Sequence, residues 1–165
     1  MMTAISANDV SDLARAEVAR ILDPVVRGAL ASRLIAPEIH LRDWDYGSPG
    51  EQYPCWTVLT DPFSDAAIVY SRHGHGPGNP WGLATLSDRW FGVDSGWFLR
   101  LEDAFVESCL AEPLLIWNVI APDGRVVHRS LPMKEALARR EALDAEFAET
   151  THHVVYRSLP SGGVP

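Results

Sequence analysis

The sequence predicts an α+β fold: a mainly antiparallel sheet of about five to six strands, with an N-terminal helical pair and two further helices. Three observations carry this expectation. Apolar residues recur at helical spacing near residues 9–35, and again near 97–110 and 132–148. Between and after these stretches lie short runs rich in Val, Ile, Trp and Tyr, bounded by Gly, Pro, Asp and Ser. No βαβ unit repeats, so nothing asks for a parallel sheet.

The elements follow in order. Val10, Leu13, Ala14, Val18, Ile21, Leu22, Val25, Val26, Ala29, Leu30 and Leu34 form the first helical stripe. Asn8 or Ser6 can cap its start. Asp23-Pro24 reads as an N-cap followed by a first-turn proline, so two helices are expected, near 9–22 and 24–35. Glu38–Tyr46 alternates as a strand, with Ile39 and Leu41 on one face and His40, Arg42, Trp44 and Tyr46 on the other. Tyr53–Thr60 and Ala66–Ser71 are further strands, linked by Gly47-Ser48-Pro49-Gly50 and Asp61-Pro62-Phe63-Ser64-Asp65. Together they suggest a meander.

Residues 72–96 read as irregular, with a short strand at Trp81–Leu86. Long irregular stretches often carry function. A helix is expected from about Trp97 to Leu110, with Trp97, Leu101, Ala104, Phe105 and Cys109 on its apolar face. Asp94 or Ser95 would cap it. Pro122-Asp123-Gly124 then joins two strands, Leu114–Ala121 and Arg125–Ser130, as a hairpin. Pro132 opens a last helix through about Ala148, supported by the pairs Glu135–Arg139 and Arg140–Asp144. A strand over His152–Leu159 ends the fold. Residues 1–160 are expected to form one domain, with 161–165 as a flexible tail.

Composition narrows the function. The 165 residues carry a net charge of −8. The acidity is spread out: six basic and ten acidic residues in 1–82, eight and twelve in 83–165. Phosphate-backbone binding needs clustered Lys and Arg, and no such patch exists, so nucleic acid is not an expected partner. No apolar run is long enough to span a bilayer and no leader is read, so a cytoplasmic location is expected and no membrane partner. Thirteen of the fourteen basic residues are Arg, with Lys134 the exception.

No motif announces catalysis. Gly74-His75-Gly76-Pro77-Gly78 lacks the Lys-Ser or Lys-Thr of a phosphate loop, and Pro77 removes an amide donor. Asp94-Ser95-Gly96 does not fit Gly-x-Ser-x-Gly. His73-x-His75 offers two imidazoles, short of the three or four ligands a metal needs. His152 and His153, adjacent on a strand, point to opposite faces. Cys55 and Cys109 read as core residues. No cofactor or metal is implied.

What remains is a binding surface. Asp43 and Asp45 share a strand face, with Trp44 and Tyr46 on the opposite one. Trp81 and Trp90 lie in or beside loops, as do His73 and His75. Aromatic residues beside charge suit a protein interface. The expected function is a non-enzymatic, acidic protein-binding module contacting its partner through Asp43, Trp44, Asp45, Tyr46, His73, His75, Trp81 and Trp90. In character it is similar to the bacterial immunity proteins that neutralise a basic toxin, without a motif matched residue by residue. Two alternatives stand beside it. One is a small hydrolase or transferase using Cys55 or Ser95 with His73 or His75. The other is a small-molecule-binding domain with an aromatic pocket.

Overall fold

The computed structural model describes residues 5–73, 78–92, 94–147 and 151–158. It is an α+β protein with two antiparallel sheets and an N-terminal helical pair. The chain divides into two compact units, Met1–Leu110 and Ala111–Pro165. The expected tail at 161–165 and the end of the last helix at Ala148 lie outside the described residues.

The first unit opens with α1 (Ala7–Arg20) and α2 (Pro24–Arg33). Ser6, rather than Asn8, caps α1 in a reciprocal box. Its Oγ accepts from the Asp9 N–H at 3.2 Å, and Asp9 Oδ2 accepts from the Ser6 N–H at 2.9 Å. These hydrogen bonds hold the Asp9 carboxyl below its ordinary pKa. Asp23 caps α2 by accepting from Val25 N–H and Val26 N–H, and Pro24 fills the first turn. The buried stripe is Val10, Ala14, Val18, Ile21, Val26 and Leu30, whereas Leu13 and Leu22 face outward.

The first sheet is a meander in the order β1-β2-β3-β4-β5. Its strands are β1 (Glu38–Asp43), β2 (Gln52–Thr60), β3 (Ala66–Tyr70), β4 (Trp81–Thr85) and β5 (Trp97–Phe98). A bulge between Thr57 and Leu59 lets Trp56, Leu59, Ile68 and Tyr70 share one face while Thr57, Ala67 and Val69 share the other. On that second face Cys55, Ala67, Val69, Phe91 and Trp97 form a buried cluster.

Three sequence expectations change here. β1 stops at Asp43 and the chain turns at once, so Asp43 and Asp45 do not share a strand face. Nor does burial alternate along β1: of Glu38–Asp43 only Arg42 is buried. Arg42 is 2% exposed, while Ile39 and Leu41 are 52% and 57% exposed.

Trp97 is the third change: it starts a strand, not a helix. It pairs with Gly82 on β4, and a Cβ at Gly82 would stand 2.8 Å from the Trp97 indole. The missing side chain is what admits the ring. The helix itself is short, α3 (Leu101–Val106), and Asp94-Ser95-Gly96 is a separate 3-10 turn. Cys109, past the end of α3, is exposed.

The second unit holds β6 (Leu115–Ile120), β7 (Val126–Leu131), α4 (Met133–Glu146) and β8 (His153–Ser158). β6 is central, in the order β7-β6-β8, so two sheets stand where one was expected. The Asp123 turn closes the β6–β7 hairpin, with Gly124 N–H donating to Ala121 C=O at 2.9 Å. Trp117 stacks near its cross-strand partner Tyr156, ring centroids 5.4 Å apart. α4 packs on all three strands with Ala136 fully buried.

Two polar details of this unit also differ from expectation. Arg140 makes its close ion pair with Glu141, at 3.8 Å, and acts on Asp144 only through its charge. Asp144 is taken by His152, which is buried just before β8.

Candidate functional site: an aromatic ledge beside β1

The site grows from one buried cation. Arg42 Nη1 donates to three main-chain carbonyls: Thr85 at 3.1 Å, Asp88 at 2.5 Å and Trp90 at 3.1 Å. All three belong to the end of β4 and the segment after it. Arg42 therefore pulls residues 85–90 over the edge of the sheet. Asp43 completes the hold. Its N–H donates to Arg89 C=O at 2.7 Å and its C=O accepts from Phe91 N–H at 3.0 Å. Trp90 thus lies beside Asp43 as a single parallel bridge.

The Asp43 carboxylate is fully engaged. Oδ2 meets Arg89 Nε at 2.6 Å and Oδ1 accepts from Gln52 Nε2 at 3.0 Å. It is a fastening, so its expected role as a direct partner contact gives way to a positioning one. Asp45, in the turn that follows, is exposed. Asp88 is exposed and accepts from Trp90 N–H at 3.1 Å.

A row of rings supports the surface. Tyr46 and Tyr53 stand edge-on to Trp44, with centroids at 6.0 and 5.7 Å. Tyr53 lies 5.1 Å from the His73 ring and 6.4 Å from Phe91, and Phe91 lies 5.4 Å from Trp97. Trp97 Nε1 donates to Phe91 C=O at 3.1 Å. The row runs from the exposed Tyr46 to the buried core. A Cβ at Gly47 would fall 2.5 Å from the Tyr53 ring, so only glycine lets that ring lie across the turn. Tyr53 OH then donates to Glu51 and accepts from Ser48 N–H.

The outer surface of the ledge is Tyr46, 72% exposed, and Trp90, 46% exposed. Asp45 and Asp88 lie among them in sequence, and Trp44 is half-buried behind Tyr46. Of the eight residues singled out in the sequence, the fold connects six through these contacts or by adjacency: Asp43, Trp44, Asp45, Tyr46, His73 and Trp90. Trp81 is not among them. It is 2% exposed and packs on Tyr70, ring centroids 5.0 Å apart, because its partner strand brings Tyr70 opposite it. His75 lies outside the described residues. Reading residues in isolation missed Arg42, Tyr53 and Arg89. The one available signal for Arg42 was a charged residue inside a strand, and its carbonyl partners are more than forty residues away.

The nucleophile candidates fare differently. Cys55 is fully buried, and burial pushes its thiol up to about 12, with Arg42 only partly offsetting this. It is a thiol at neutral pH. Ser95 is exposed in its 3-10 turn, and no hydrogen bond joins it to a histidine among the described residues. Also among the described residues, no three His, Cys, Asp or Glu side chains come together as a metal site, and no helix is long and apolar enough to cross a membrane.

Comparison with protein-family models, with curated proteins and with solved structures found no match.

Proposed function

We propose that the protein is a non-enzymatic binding module that docks a basic protein on the Tyr46–Trp90 ledge, as immunity proteins do with toxins. One observation carries the reading: the exposed Tyr46 stands edge-on to Trp44 in a ring row that reaches the core, and the exposed Trp90 lies in a segment held to β1 by Arg42 and Asp43, with the exposed Asp45 and Asp88 next to them in sequence. Aromatic anchors held in place before binding lose little freedom on docking, and such residues dominate interface energetics. The net charge of −8 favours a basic partner by steering its approach. Burial of Cys55 weighs against the thiol-nucleophile alternative.

The test is capture from the host with the tagged chain, followed by affinity measurement on the recovered protein. The expected outcome is one basic partner whose binding falls on the order of 30-fold in Tyr46→Ala or Trp90→Ala, a typical anchor loss of about 2 kcal/mol. Phe63→Ser, at an exposed position in the β2–β3 turn, serves as the control. Equal binding by wild type and both ledge variants would remove the ledge from the interface.

A second reading has its own observation. A cleft of about 850 Å³ lies between α1 and α2, floored by Val58 and lined by Ala14, Val18, Gly28 and Ala31. That size suits a small molecule. Its lining mixes aliphatic residues with Asn8, Ser11, Arg15 and Arg27 and holds no aromatic side chain, unlike the aromatic pocket expected. A Cβ at Gly28 meets nothing within 4 Å, so Gly28→Leu introduces a side chain at the cleft wall without a clash at its Cβ. A compound seen in native mass spectra and displaced by Gly28→Leu would favour this reading over the first.

A further inference from the structure

We propose that the free edge of β1 pairs with the same edge of a second copy, centred on His40, joining two five-stranded sheets across a two-fold axis. β1 is the first strand of its sheet, so only one of its sides is taken by β2. The direction of its main chain follows from Asp43, whose N–H and C=O bond Arg89 and Phe91 on the side away from β2. Alternate residues of a strand point the same way. The N–H and C=O groups of Ile39 and Leu41 therefore face outward too, while His40 and Arg42 face β2. Pro54, opposite Leu41, agrees: its C=O points away from β1, accepting from Ser71 Oγ at 2.8 Å. Among the described residues no main chain meets Ile39 or Leu41 on the outer side. Their side chains are more than half exposed.

An antiparallel pair exchanges hydrogen bonds between residues that both face outward. Three two-fold registers satisfy this on so short an edge. Pairing Ile39 with itself puts Leu41 opposite Pro37, which has no N–H to give. Pairing Leu41 with itself puts Ile39 opposite Asp43, whose main chain is already held by Arg89 and Phe91. Pairing Ile39 with Leu41 of the second copy, twice over, uses every free group and neither obstructed one. In that register the second copy's strand ends at Pro37, where Trp90 takes over the edge.

The side chains fit the same register. Four apolar groups, Ile39 and Leu41 from each copy, meet on one face. On the other, His40 meets His40 at the axis. Glu38 of each copy lies diagonally across from His40 of the other, a carboxylate acceptor facing an imidazole N–H donor, so the polar groups of the two edges are complementary. Residues 38–41 hold no Lys, Pro or bulge, the usual guards of a bare edge. The pairing uses a different stretch from the ledge and does not depend on its function.

The experiment is sedimentation of the full chain from roughly 5 µM to 1 mM, the range a small interface requires. The expected weight-average mass rises from 18.2 kDa toward twice that value. The double variant Ile39→Lys/Leu41→Lys, changed only at exposed positions, is expected to keep its circular dichroism and remain at monomer mass. Register is read separately in a Cys109→Ser background. His40→Cys should form an interchain disulfide, because residues facing each other in a non-hydrogen-bonded pair lie at bridging distance. Leu41→Cys should not. A monomer across the whole range overturns the proposal, as does preferential crosslinking through Leu41→Cys. A chain that stays monomeric but loses partner capture in the double lysine variant would also overturn it, and would assign the edge to a strand from another protein.

Discussion

Arg42 and Cys55 share one face of the first sheet, and burial acts on them in opposite ways. The thiol is neutral when protonated and simply stays so, pushed up to about 12. Native protein treated with iodoacetamide at neutral pH is therefore expected to label at Cys109 alone. Both cysteines should label after denaturation, and rapid native labelling of Cys55 would refute its burial. The guanidinium has no neutral form to retreat to. It survives burial because three carbonyls accept from its Nη1. Arg42→Met removes that donor from all three carbonyls, of which Thr85 C=O keeps the Asp88 N–H, and urea unfolding should show a loss of about 3 kcal/mol. Arg42→Lys keeps the charge and loses the fork, so it should fall between. In both variants the ledge should loosen, and partner binding should drop even though Arg42 is buried.

At the scale of elements, what was legible depended on sequence distance. The Ser6 and Asp23 caps, the Pro24 break, the meander and the Asp123 hairpin rest on contacts within a few residues, and all are present. The strand at β1 was equally local, but the burial of Arg42 within it depends on the distant carbonyls of Thr85, Asp88 and Trp90. Trp97 read as helical because Leu101, Ala104 and Phe105 continue its spacing; the opposing gap at Gly82 lies on another strand. The same holds in the second unit, where Asp144 accepts from His152 N–H at 2.9 Å and lies 2.7 Å from its Nδ1.

That last contact carries a pH dependence. Backbone and then side-chain hydrogen bonds from His152 hold the Asp144 carboxyl below its ordinary pKa. A depressed carboxyl contributes stability above its unfolded value, near about 4, and loses it as pH falls through the folded one. Asp144→Ala should therefore unfold at a lower temperature than wild type at pH 7, with the gap closing in acid. Hydrogen exchange should place the loosening in α4 and β8. A gap that persists unchanged at pH 2 would contradict the assignment.

At the scale of the molecule, the acidity is shared by both halves of the chain and gathers into no tail. A field of this kind steers a basic partner from a distance and is screened by salt. For the partner captured by the ledge, association should slow as salt rises from about 50 to 500 mM, while dissociation changes little. Asp45→Lys should act mainly on association. Tyr46→Ala and Trp90→Ala should act mainly on dissociation, since anchors are felt once docked. The reverse pattern would argue for a ledge recognised by charge alone.

The hook by which residues 88–91 fasten to β1 also bears on time. Arg42 and Trp90 are 48 positions apart, with β2, β3 and β4 between them. Closing so long a loop is repaid only once the intervening hairpins have formed, so this contact belongs late on the folding path. On the ribosome the ledge cannot exist until Phe91 has emerged, however early β1 is made. On the reading proposed above, a nascent chain would expose the free edge of β1 before the segment that carries Trp90 can fasten to it.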